Sequence, residues 1–215
     1  MLRLYDFGQS GNCHKVRLML SMLRLTFETV TVDMLAAEHR SREYLEINPL
    51  GQVPALRDRD LVLRDSQAIL IYLARRYGGE SWLPDDPKNM ARVVQWLFTA
   101  ANEIQHGPAA ARLAVRFGVG IDLTAAQGIA RKILAVLDSD LAGHDWLALD
   151  RPTIADLACY PYVALAPEGD VPLAPFPAVC AWIRRIEALP GYLGMPGLPR
   201  EFDRPALRPD GAGGG

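Results

Sequence analysis

The chain has 215 residues, half of them hydrophobic, which is enough apolar material for one large or two small cores and excludes a largely disordered chain. Its 25 acidic residues nearly balance 23 Lys plus Arg, which excludes a global basic field for nucleic acid or an anionic membrane. Three scattered cysteines, Cys13, Cys159 and Cys180, form no CxxC pair or Cys/His cluster, which argues against a disulfide framework and a metal site and fits a reducing cytosol.

In chain order, residues 1–78 read as a mixed α/β unit. Leu2 and Leu4 alternate with Arg3, predicting a short strand that ends by Gly8. From Cys13, Val16, Met19, Leu20 and Leu23 fall at i, i+3, i+4 and i+7, the stripe of an amphipathic helix that would leave His14 and Lys15 on its solvated face. Lys15 and Arg17 also interrupt the apolar run there, and no stretch reaches the roughly 18 apolar residues of a membrane span. A soluble, cytoplasmic protein without a leader is expected.

The β-branched residues 29–32 predict a second strand, and residues 38–45 a short helix or irregular segment. Asn48-Pro49-Leu50-Gly51 marks a turn before a hairpin of residues 53–57 and 61–63, whose connection lacks the favoured Asn-Gly. Asp65 or Ser66 can cap a helix carrying Ile69, Tyr72, Leu73 and Tyr77. Gly78-Gly79 ends it, residues 79–87 read as a linker, and residues 88–203 are helical in period throughout. Helices are expected over 88–117, kinked near Gly107-Pro108, and over 123–141, with Ile129, Ile133, Val136 and Leu137 on one side. Two more are expected over 153–163 and 177–189, and residues 204–215 read as a flexible tail. Trp96, Phe98, Trp182, Cys159 and Cys180 read as core.

Four local features carry or support chemistry. At 10–17, Ser10-Gly11-Asn12-Cys13 gathers hydroxyl, amide and thiol groups at a helix N-terminus, where free N–H groups and the dipole favour an anion. Alone, this is equally an ordinary cap. At 48–55, a proline directly ahead of a strand marks an edge or turn. A cis Val53–Pro54 bond would present the Val53 backbone to an extended peptide, whereas a trans bond would make a plain turn. At 65–67, Ser66 can hold a carboxylate and Asp65 an ammonium group, a pairing suited to an amino-acid head group and equally to a structural cap. Thr153-Ile154-Ala155-Asp156 is a capping-box pattern, a folding signal.

The stretches NPLGQVPAL (48–56), DSQAILIYL (65–73) and RPTIADL from Arg151, in this order and spacing, resemble the glutathione S-transferase superfamily over nearly all of residues 1–190. The resemblance implies a thioredoxin-like α/β N-terminal domain, an all-α C-terminal helical bundle and glutathione as co-substrate. By this resemblance, Pro54 is cis, Val53 pairs with the cysteinyl backbone of glutathione, and Asp65 and Ser66 hold its γ-glutamyl end. Ser10 matches the residue that contacts the sulfur. Asn12 is a second candidate donor, because some bacterial members with an Asn-x-His-Lys run use such an asparagine. Cys13 lies three residues beyond the position of the reactive sulfur in cysteine-type members.

Gln52 and His39, or Arg40, are expected to reach the glycyl carboxylate. Phe7, His106 and Arg112 are expected in the second-substrate pocket, along with the neighbouring 103–108 segment. Asp65 is one methylene shorter than the Glu common at its position, and Leu149 replaces a common glycine. The implied function is glutathione conjugation to small hydrophobic electrophiles, in detoxification, by a homodimer without a metal. Alternatives are a glutathione-dependent disulfide reductase or peroxidase, an isomerase that would want a basic pocket, and a non-catalytic binding protein on the same scaffold.

Overall fold

The computed structural model describes residues 1–195. Strands β1 (Leu2–Asp6), β2 (Phe27–Thr31), β3 (Ala55–Asp58) and β4 (Leu61–Arg64) form one sheet in the order β2-β1-β3-β4. β1 runs parallel to β2, with Leu2 opposite Phe27, and antiparallel to β3, with Leu4 opposite Leu56. The β3–β4 hairpin turns on Arg59 and Asp60 alone, Asp58 pairing with Leu61. Arg59 takes the left-handed conformation, φ 55, that the missing Asn-Gly would have supplied.

Helices α1 (Gly11–Met22) and α3 (Ser66–Leu73) cover the sheet, and the short α2 (Arg42–Leu45) precedes β3. This is the thioredoxin-like half of the fold. α1 departs from its amphipathic reading: His14 and Lys15 are fully buried, not solvated. The helix is sandwiched between the sheet with α3 on one side and, on the other, α7 (Ile154–Ala164) of the helical half. Lys15 Nζ has no hydrogen-bond partner and lies 5.6 Å from the Tyr162 ring centroid, and burial lowers its pKa to about 8.

The helical half comprises α4 (Pro87–Ala101), α5 (Ala110–Phe117), α6 (Leu123–Leu141), α7 (Ile154–Ala164) and α8 (Pro177–Glu187). Asp86 caps α4 through a 2.9 Å bond from Asn89 N–H, with Pro87 in the first turn. The expected kink is a break after α4 and a π-type turn, Gln105–Ala109, that accommodates Pro108. Gly107 allows α6 to cross there, since a Cβ on it would lie 2.8 Å from the Ala130 backbone nitrogen. At the head of α7 the capping box forms. Asp156 is fully buried and accepts from Thr153 N–H, Leu147 N–H and Trp182 Nε1–H at 2.9, 3.0 and 2.9 Å.

Three apolar assignments change in three dimensions. Trp96 and Trp182 are core, but Phe98 is 69% exposed on α4. On α6, Ile133 and Leu137 are buried while Ile129 and Val136 are exposed. Cys159 is buried and Cys180 only partly so. No helix among the described residues is long and apolar enough to cross a membrane. The tail expected over 204–215, and the end of the 88–203 segment, lie outside the described residues.

Candidate functional site

A cleft of about 610 Å³ opens between the loops of the thioredoxin-like half and helices α4, α5 and α7. Its floor is the β1–α1 turn. Ser10 is the N-cap of α1; its Oγ accepts from Cys13 N–H at 3.3 Å, which leaves its hydroxyl proton free to donate into the cleft. Two arginines hold this turn by its carbonyls. Arg17, paired with Asp6, donates to Gly8 O at 3.1 Å, and Arg112, paired with Glu168, donates to Gln9 O at 2.9 Å. The second reaches across from the helical half, so the position of Ser10 depends on both halves of the fold.

Asn12 also lines the cleft, but its amide is engaged. Its Nδ2 donates to Gln105 Oε1 at 3.4 Å, and its Oδ1 accepts from Ser66 Oγ at 3.3 Å. It thereby joins α1, α3 and the helical half. Cys13 is fully buried and its Sγ accepts from Phe7 N–H at 3.4 Å. Burial, reinforced by Asp6, pushes its thiol up to about 12, so it carries no thiolate at neutral pH.

One cleft wall is built from backbone. The Val53–Pro54 bond is cis, and β3 begins only at Ala55, so Val53 stands ahead of the ladder beside the cleft. The segment is fixed from behind, where Gln52 O accepts from Tyr44 OH and Asn48 Nδ2, both at 2.7 Å. Next to it, Asp65 caps α3, its Oδ1 accepting from Gln67 N–H at 2.9 Å and Ala68 N–H at 3.1 Å. Asp65 sits at φ 71, ψ 124, a conformation that costs a non-glycine residue on the order of 1–3 kcal/mol and that collects at functional sites. The N-termini of α1 and α3 therefore both open onto one cleft, a setting that favours a ligand with two negatively charged ends.

The expected residues divide in two. Ser10, Asn12, Gln52, Val53, Pro54, Asp65 and Ser66 share the cleft, as do Phe7 and Arg112. His39 and His106 do not line it. His39 lies in the turn after β2, its Nδ1 buried without a partner. His106 bonds Asn102 O at 2.9 Å and faces a separate groove of about 880 Å³ between α4 and α6. Three contributors escaped the sequence reading of the second-substrate pocket: Leu113, Phe117 and Tyr162. With Phe7 they make an apolar wall, and no motif marks any of them in the sequence. Arg112 lies in that wall with its charge answered by Glu168, which favours a neutral occupant over an acidic one. Among the described residues no group of three or more His, Cys, Asp or Glu is placed to hold a metal.

Comparison with known proteins agrees with this fold. Residues 1–75 match the family model of the glutathione S-transferase N-terminal domain, and residues 121–190 match that of the C-terminal domain. The chain is 31% identical to glutathione S-transferase PARB of Nicotiana tabacum over 205 residues, covering 89% of this chain and 95% of that protein. It is 29% identical to the disulfide-bond oxidoreductase YfcG of Escherichia coli K12, covering 88% and 92%. The crystal structure of a glutathione S-transferase from Xanthobacter autotrophicus Py2 aligns with a TM-score of 0.84 at 36% identity, covering 91% of this chain and 97% of that one. The chain belongs to the glutathione S-transferase family.

Proposed function

We propose that this protein is a cytoplasmic glutathione transferase that holds glutathione as its thiolate for attack on small hydrophobic electrophiles. The observation that carries the reading is Ser10, capping α1 with its hydroxyl proton free, in one cleft with the Val53 backbone and the Asp65–Ser66 start of α3. Glutathione fits these parts. Its γ-glutamyl carboxylate suits the N-terminus of α3 at Ser66, its amine suits Asp65, its cysteinyl backbone suits Val53, and Gln52 is in reach of the glycyl end.

The energetics are sufficient. A thiol of pKa about 8.5 is only a few per cent ionised at about pH 7, and bringing it to about 6.5 requires roughly 2.7 kcal/mol of preference for the anion. A hydrogen bond to a charged group supplies about 1.5–3 kcal/mol, and a helix N-terminus about 0.3–1 kcal/mol more. Ser10 and the start of α1 supply both. The thiolate then attacks the electrophilic carbon, whose leaving group departs, while the apolar wall of Phe7, Leu113 and Phe117 holds the second substrate.

Titration calorimetry with reduced glutathione, beside its S-methyl analogue, tests the reading, followed by turnover of a chlorodinitrobenzene. Binding that weakens on methylation, with conjugation that falls at least tenfold in Ser10→Ala, is expected. Binding of neither ligand refutes it. Glutathione-dependent disulfide reduction is the second reading, favoured by the likeness to YfcG and by Asn12 in the cleft. With Cys13 buried, that reaction runs through two glutathiones and no protein disulfide. Disulfide turnover exceeding conjugation selects it. We also infer a homodimer, as the family resemblance implies; a monomer of 23.7 kDa in light scattering at micromolar concentration refutes this.

A further inference from the structure

The helical half contributes a hydroxyl of its own to the floor of the cleft. Tyr162, on α7, lines the cleft beside Ser10 and Asn12 and is only 6% exposed. Its ring closes down on the first turn of α1 at Gly11, where a Cβ would lie 2.7 Å from Tyr162 Cε1 and 2.8 Å from Cζ. Only glycine gives the phenol room to approach the helix N-terminus this closely. The Asn12 backbone N–H and the Ser10 side chain, beside the phenol, favour negative charge on its oxygen. Lys15, under the ring, and Arg112 are the cations around it, and Cys13 the neighbouring thiol. Burial outweighs those influences and raises the phenol pKa, so Tyr162 keeps its proton at neutral pH.

A protonated phenol on the floor of a cleft, at a helix N-terminus that favours an anion, has an O–H to donate there. We propose that Tyr162 is a second catalytic hydroxyl at the sulfur site, its O–H donating to the same glutathione thiolate that Ser10 contacts. The thiol proton leaves to solvent, and Tyr162 retains its own. The sulfur is then held between a hydroxyl from each half of the fold, and thiolate stabilisation requires the two halves to be correctly docked. This inference rests on the glutathione reading above.

The test is the ultraviolet titration of enzyme-bound glutathione thiolate in wild type, Tyr162→Phe and Ser10→Ala, with S-methylglutathione affinity measured on each. Tyr162→Phe preserves the ring and its stacking on Lys15. It is expected to raise the bound-thiol pKa by about one unit, a tenfold loss of thiolate below that pKa, with S-methylglutathione affinity unchanged. A merely structural role would lower stability or both affinities and leave the thiol pKa in place. Gly11→Ala is the second variant: it keeps every polar group but displaces the ring, and is expected to raise the same pKa. A wild-type thiol pKa in both variants overturns the inference and leaves the glutathione reading standing. Failure of the wild-type protein to bind glutathione overturns both.

Discussion

His14 offers a direct measurement of how far the packing of α1 departs from its amphipathic pattern. The imidazole is fully buried against α7, its ring centroid 6.2 Å from that of Tyr160, and neither ring nitrogen has a hydrogen-bond partner. Burial first, and the charge of Arg17 second, lower its pKa from 6.5 to about 3. The unfolded chain takes up a proton near pH 6.5 that the folded chain refuses. His14 therefore contributes stability above that pH that is lost as the pH falls toward 3. Each pH unit inside the window removes about 1.4 kcal/mol, so roughly 2.5 kcal/mol is gone between about pH 7 and pH 4.5. Urea denaturation of wild type and His14→Leu across this range isolates the effect, because the other titrating groups are common to both. At neutral pH, His14→Leu is expected within about 1 kcal/mol of wild type or above it, since the ring makes no hydrogen bond to lose. On acidification the variant should gain on wild type by the roughly 2.5 kcal/mol above. Parallel stability curves for the two proteins would refute the reasoning and place His14 in water.

Two further outcomes follow from buried groups. Asp156→Ala strands the N–H groups of Leu147, Thr153 and Trp182, at about 1–3 kcal/mol each, and is expected to cost about 4 kcal/mol in urea denaturation. Asp156→Asn, which keeps an acceptor oxygen, should cost about half that, and a loss below about 1 kcal/mol for the alanine variant would contradict the assigned bonds. Cys13→Ala is expected to retain conjugation activity within about threefold and to lose about 1 kcal/mol of stability with the Phe7 N–H···Sγ contact. A drop beyond tenfold with glutathione binding intact would assign the thiol a chemical role.

Local signals were legible in the sequence where a short stretch determines its own geometry. The β-α-β-α-β-β-α order followed from period and turn chemistry, and the caps at Ser10, Asp65 and Thr153 follow from residues within three positions of each. The three motifs around Pro54, Ser66 and Asp156 carried the family resemblance, and with it the cis bond at Pro54. Tertiary structure alone decided what covers each element from outside. Periodicity marks one buried face of α1 but not the arrival of α7 on the opposite face, which buries His14 and Lys15 despite their polarity. The same blindness made Phe98 look like core, because hydrophobicity states a preference and not the presence of a neighbour. The cleft divides along this line too. Its N-terminal half lies in contiguous motifs, whereas Arg112 reaches Gln9 across 103 residues and Tyr162 meets Ser10 from another helix. Such contacts leave no local pattern, since they arise only when two separately patterned halves dock and their side chains share one space.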